Sequence, residues 1–156
     1  MQNKIVDNIN FSKAETCLIM EPAQANAMGN VHGGELMKLM DTTAGIAAAK
    51  HARGLVVTAR ADELVFHKAI HVGDIVTCIA QVAYVGKTSL QVLVNIMVHE
   101  LKNYAEPTTA LTAFFTMVHI DENGKPKAVP PLKVVTKEEK YLFALGEYKY
   151  QQNRNK

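Results

Sequence analysis

The clearest periodicity in this chain lies in residues 89–100, where Leu90, Val92, Val94, Ile96 and Val98 fall at every second position and predict a strand with one buried face. Three further runs have strand character: Val56–Phe66, Asp74–Val85 and Thr108–Ile120. In the last of these, Ala110, Thr112, Phe114, Thr116 and Val118 alternate with Leu111, Ala113, Phe115 and Met117, so both faces carry apolar residues. Such a strand needs cover on two sides, here a helix on one and a second subunit on the other. The short segments between runs suit turns: GK between the second and third, DENGK at 121–125 after the last, and HKAIHVG as a longer connector.

Ahead of these runs, Glu15–Met20 predicts a first strand, and a loop follows through Pro22, Asn26 and Gly29. The period then changes. From Gly33 or Gly34 to about His51, a projection at about 100° per residue gathers Leu36, Met37, Met40, Ala44, Ala47 and Ala48 into one stripe. Gly54 stands where a helix stop belongs. The small residues of DTTAGIAAA would let a curved sheet approach this helix closely. Near the C-terminus Thr136 and Glu139 have capping-box spacing, and Tyr141, Leu145 and Tyr148 continue at helical intervals, predicting a short helix that packs on the sheet or a neighbour. One long helix with an antiparallel meander makes an α+β fold, the helix lying on one sheet face.

Composition narrows the function. A length of 156 residues suits one domain, and 48% hydrophobic with 21% charged residues is ordinary for a globular chain. No apolar run approaches the roughly 18 residues of a membrane span. The polar N-terminus MQNKIVDNINFSK lacks the apolar core of an export signal, so a cytoplasmic protein without a membrane partner is expected. A net charge of +2, no Trp and no basic stripe argue against nucleic acid, and the basic KYQQNRNK suits a solvated tail. Cys17 and Cys78 are far apart and predict neither a disulfide nor a metal site. His51, His67, His71, His99 and His119 show no metal-ligand spacing, and no metal or organic cofactor is expected.

The candidate chemistry lies in residues 22–41, PAQANAMGNVHGGELMKLMD. Gly33 and Gly34 open the helix, where unpaired N–H groups and the positive end of the helix dipole can stabilise an oxyanion; a plain glycine-rich helix start is the other reading. Asp41 falls at the edge of the apolar stripe, either as a rim carboxylate beside Lys38 or as an ionised group facing a reactive carbonyl. Asn26 can serve the turn or offer a donor and an acceptor to a ligand. His32 precedes the glycines, as a loop residue or a contact to substrate.

NAMGNVHGGELMKLMD followed by VVTARADELVFHKAIHVGD resembles the hotdog-fold acyl-CoA thioesterases of the cytosolic acyl-CoA hydrolase group, small bacterial enzymes and two-repeat mammalian hydrolases together. The similarity runs from about Ala14 to Pro131 and includes VGKTSLQV and NGKPKAVP, leaving a C-terminal helix and tail at about 136–156. It implies a central helix wrapped by a curved antiparallel sheet. It also implies that Asp41 is catalytic, that Asn26 assists across a dimer interface, and that the helix N-terminus at Gly34 polarises the thioester carbonyl.

Geometry supports that sharing of the site. Asp41 follows Gly34 by seven residues, about 10 Å of helix at about 1.5 Å each, whereas a carbonyl would sit about 3 Å from its donors. A two-fold homodimer with antiparallel helices, possible also as a trimer of dimers, would bring the partner's carboxylate to that point. The expected reaction is hydrolysis of acyl-CoA to CoA and a free acid, with Asp41 as general base or as nucleophile. Coenzyme A enters only as part of substrate and product. Its phosphates could meet Gly86, Lys87, Thr88 and Ser89, unless these form only a hairpin turn. Two alternatives share the pocket. A dehydratase or isomerase would pair a His with an acid, and the only His in the motif is His32; a non-catalytic acyl-CoA sensor would not need Asp41.

Overall fold

The computed structural model describes residues 12–102 and 106–155. The polar segment before Ser12, on which the expectation of an unexported chain rests, lies outside the described residues. The elements are β1 (Lys13–Ile19), a 3-10 turn (Pro22–Gln24), α1 (Gly33–Ala52), β2 (Leu55–Phe66), β3 (Ile75–Val85), β4 (Ser89–His99), β5 (Thr108–Ile120) and α2 (Lys137–Arg154). All strand pairs are antiparallel, in the order β1-β3-β4-β5-β2. Thus β3, β4 and β5 form the expected meander, but β2 closes on β5 and β1 on β3, which leaves β1 and β2 as the edges.

The period-two pattern of β4 gives the core directly: Leu90, Val92, Val94 and Ile96 are fully buried and Val98 nearly so. They pack with Val76, Cys78, Ala80 and Val82 of β3 and Leu111, Ala113, Phe115 and Met117 of β5 against Leu36, Met40, Ala44, Ala47 and Ala48 of α1. Small alanines let the sheet come close to α1, as expected for the hotdog arrangement.

Four expectations need correction. Met37 is 41% exposed, so the buried stripe of α1 turns away from it and takes in Thr43 and His51 instead. Each of these polar groups is satisfied: Thr43 Oγ1 donates to Leu39 O at 2.8 Å, and His51 Nε2 donates to Pro130 O at 2.8 Å. The helix stop is Arg53, in the left-handed region at φ 57°, with its N–H on Ala49 O. Gly54 is needed for another reason, since a Cβ there would come within 2.5 Å of His119 Nε2. Finally, α2 is long at 18 residues and includes most of the supposed tail. It lies on the sheet face opposite α1, where Tyr84 of β3 stacks on its Phe143 and Tyr150, and Gly146 admits the side chains of Ala83 and Tyr84. Thr136 caps it as the capping-box spacing predicts, accepting from Glu139 N.

Candidate active site

The loop before α1 is built around Asn26. Its Oδ1 accepts from Met28 N (2.9 Å) and Asn30 N (3.1 Å), and its backbone N–H donates to Asn30 O. Two amide donors on one side-chain atom identify that atom as the oxygen. Nδ2 therefore points the other way and has no acceptor among the described residues. Asn26 offers a ligand two N–H donors and no free acceptor.

The start of α1 offers more donors of the same kind. His32 is the N-cap residue, exposed, with no side-chain capping bond. Glu35 and Leu36 N–H donate back to His32 O, while those of Gly33 and Gly34 have no partner among the described residues. A Cβ on Gly34 would meet nothing within 4 Å and its φ is not positive, so the protomer itself does not require glycine there. Gly33 is close-packed: its Cβ would lie 3.2 Å from Phe66 Cζ.

Asn26 and Gly33 line one open cleft, together with Asn30, Leu36, Phe66 and His67. Lys68 also lines it, ion-paired to Glu100 at 2.7 Å. The connector HKAIHVG thus forms a wall of this cleft, a role that its turn-like composition did not signal.

Asp41 is not in that cleft. It is exposed on the side of α1 that faces β2, where Thr58 Oγ1 donates to its Oδ1 at 2.5 Å. Lys38 does not pair with it; among the described residues Asp41 has one hydrogen-bond partner and no ion pair. Thr58 was not visible in the sequence as a site residue. It lies in a strand whose inward parity is broken by an irregularity after it, so counting alternate positions does not reveal the face it occupies. The Asp41–Thr58 pair and the cleft lie on the same helix but do not meet within one protomer.

The turn at 86–89 is farther still. It joins β3 to β4 beside the end of β5, at the end of the sheet where α1 finishes, not where it starts. Gly86 N–H closes the hairpin on Ser89 O, Lys87 O accepts from Val129 N and Thr88 O from His119 N. A Cβ on Gly86 would approach Tyr150 of α2 within 3.0 Å, so this glycine has a packing duty. Lys87 remains exposed.

Comparison with known proteins gives this geometry a context. The thioesterase superfamily profile matches residues 28–103, a span that holds α1, Asp41 and Thr58. The acyl-CoA thioester hydrolase of Escherichia coli is 41% identical over 113 residues, covering 70% of this chain and 84% of that one. The chain belongs to the acyl-CoA thioester hydrolases. Within this family the cytosolic acyl coenzyme A thioester hydrolase of Mus musculus is 33% identical over 151 residues, 96% of this chain but 40% of that one. The chain therefore spans about two fifths of the mammalian relative's length. Among solved hydrolases of the family, an asparagine-to-alanine mutant of the acyl-CoA hydrolase of Staphylococcus aureus in complex with coenzyme A superposes with a TM-score of 0.87 at 31% identity, covering 94% of this chain and 87% of that one.

Proposed function

We propose that this protein hydrolyses acyl-CoA thioesters in the cytoplasm, releasing CoA and the free acid. The observation that carries the reading is the division of labour at the site. Among the described residues, donors without acceptors (Gly33 N–H, Gly34 N–H, Asn26 Nδ2) gather at the start of α1, while Asp41, the carboxylate, is held by one hydroxyl and paired with no cation. Donors aimed at a thioester carbonyl stabilise the oxyanion that forms on attack. A group that only donates cannot accept a proton from water, so neither Asn26 nor the glycines can act as base. That role falls to Asp41, activating water or attacking directly. Thr58 would aim one carboxylate oxygen and leave the other for the reaction.

Asp41 must then come from a second copy. Along α1 it lies about 10 Å beyond Gly34, and it does not line the cleft. A two-fold pairing with antiparallel α1 helices would set each Asp41 at the other chain's donors. The surface for such pairing is present: β2 is a 12-residue edge strand with Leu55, Val57, Val65 and Phe66 exposed, and Met37 of α1 is exposed as well. Each site would combine Asn26, Gly33 and Gly34 of one chain with Asp41 and Thr58 of the other, with His32 beside the entering substrate. Lys87, Thr88 and Ser89, remote from the donors in their own chain, would reach CoA phosphates only from a neighbouring subunit.

Relatives support the reading. One structure of the S. aureus hydrolase holds butyryl coenzyme A, and others carry alanine in place of an asparagine, an aspartate and a threonine spaced along that chain as Asn26, Asp41 and Thr58 are here. Thioesterases of similar structure are hexameric, in keeping with a trimer of such dimers. The test is thiol release from acyl-CoAs of increasing chain length, before and after exhaustive EDTA treatment. Turnover that persists without metal is expected. No thiol release from any acyl-CoA would refute the reading, and loss restored by a divalent ion would refute its metal-free form.

A further inference from the structure

Thr58, Arg60 and Asp62 would share one face of a regular strand, because side chains alternate with period two. In β2 they do not. Thr58 pairs across from Met117, a core residue, and turns toward α1. Arg60 lies opposite Thr116 and Asp62 opposite Phe114, on the face where α2 packs. The register irregularity between Thr58 and Arg60 makes the switch, and a second follows between Asp62 and Val65, where Glu63 has a φ of 52°. One residue gained or lost in the register would exchange the faces.

The outer face of this irregular stretch is fastened by side chains. Asp62 is 8% exposed; its Oδ1 accepts from Arg60 Nε at 2.5 Å and its Oδ2 from Asn153 Nδ2 of α2 at 2.9 Å. Lys149, one helical turn before Asn153, pairs with Glu63 at 2.6 Å. A buried carboxylate with one oxygen on its own strand and the other on a helix tolerates little movement, since either loss leaves it under-satisfied. The C-terminal turns of α2 thereby hold the one stretch of β2 whose parity decides where Thr58 points.

We propose that Asp62, fastened by Arg60 and Asn153, is a positioning residue for Asp41: it locks the β2 bulge that turns Thr58 toward α1, and Thr58 in turn aims the Asp41 carboxylate. The proposal rests on the reading of Asp41 as the catalytic carboxylate. Its consequence is that α2, on the opposite side of the sheet from the substrate, sets turnover while leaving substrate binding at the start of α1 untouched.

Thiol-release kinetics and thermal melting of the full chain test this. Asn153→Asp sets a second carboxylate against Asp62 and should lower kcat about tenfold or more, the scale of a lost bond to a charged group, with KM within about twofold. Asn153→Ala only deletes the donor and should act in the same direction with smaller amplitude, which serves if the charged variant does not fold. The double variant Asp62→Asn/Asn153→Asp exchanges donor and acceptor and should recover most of kcat. In a Thr58→Val background, Asn153→Asp should add less than about twofold, because both act through one group. A lowered Tm with wild-type kcat, or a loss of kcat that adds in full to that of Thr58→Val, would overturn the proposal. Asp41→Asn measured alongside separates the two levels: if it stays active, the reading of Asp41 itself fails, and if it is inactive while Asn153→Asp is fully active, only the positioning role fails.

Discussion

At its start α1 leaves the amides of Gly33 and Gly34 without partners among the described residues, and next to them an Asn26 amide with no acceptor. At its end the polar side chains packed against the same helix are paired instead. Ser12 Oγ donates to His51 Nδ1 at 2.8 Å, His51 Nε2 donates to Pro130 O, the Arg53 N–H returns to Ala49 O, and Gly54 fits under a His119 ring whose Nδ1 donates to Ala128 O. Both ends are rich in glycine, histidine and polar groups, so composition alone does not separate them. Satisfaction does. Polar groups left unpaired in an accessible cleft are available to a ligand, whereas polar groups paired in the interior only hold the chain in place.

The largest expected effect sharpens this contrast in the middle of the helix. Asp41→Asn should lower kcat by about 100- to 10,000-fold, the usual range for a lost general base, while Tm stays within a few degrees because the residue is exposed. A fall of less than about tenfold would remove Asp41 from the reaction.

Next comes a paired substitution of glycines, one at each end. At Gly34 a Cβ enters open space within the protomer, so Gly34→Ala should not lower Tm; the N–H stays, but the added methyl would displace a carbonyl approaching that amide and should reduce kcat/KM by about 10- to 100-fold. At Gly54 it would collide with a buried, hydrogen-bonded His119, so Gly54→Ala should cost about 1–3 kcal/mol of stability, as overpacking does, with kcat per folded molecule unchanged. If the two variants exchanged phenotypes, the contrast between the ends of α1 would be wrong.

A smaller effect concerns pH. Burial holds the His51 imidazole below its ordinary pKa, against the opposing bond to Pro130, and nearby Arg53 lowers it further. The folded state then resists protonation more than the unfolded one. Its contribution to stability is complete above the unfolded pKa of about 6.5 and is lost as pH falls from there toward the lower folded value. Tm measured from pH 8 to pH 5 should decline through this window, and His51→Gln should flatten the decline. An unchanged slope in that variant would assign the pH dependence elsewhere.

How much of this was legible in the sequence depended on whether a signal was local. The alternation in 89–100 and the stripe of α1 reported burial correctly because each residue's face follows from its own spacing. Met37 and His51 escaped that logic: the stripe's edge is set by where the sheet ends, and a histidine is buried only if distant partners, here Ser12 and Pro130, reach both nitrogens. Asn26, Gly33 and Asp41 were candidates in the sequence because they stand in NAMGNVHGGELMKLMD, the stretch that carries the family resemblance; by residue type alone each also had a plain structural reading. Thr58 was not a candidate, since the bulge after it comes from pairing with β5 and from α2, both remote in sequence. The extent of α2 was hidden too, because KYQQNRNK carries little apolar signal and is held by aromatic stacking on Tyr84 and by the Asp62 cluster.

Whether one site is assembled from two chains is tested most directly by complementation between two inactive variants, Asn26→Ala and Asp41→Ala, each shown to fold and their subunits shown to exchange. Random pairing makes about half of the dimers mixed, and each mixed dimer holds one whole site and one lacking both groups, so about a quarter of wild-type turnover should return. No recovery at any mixing ratio would contradict a site shared between chains.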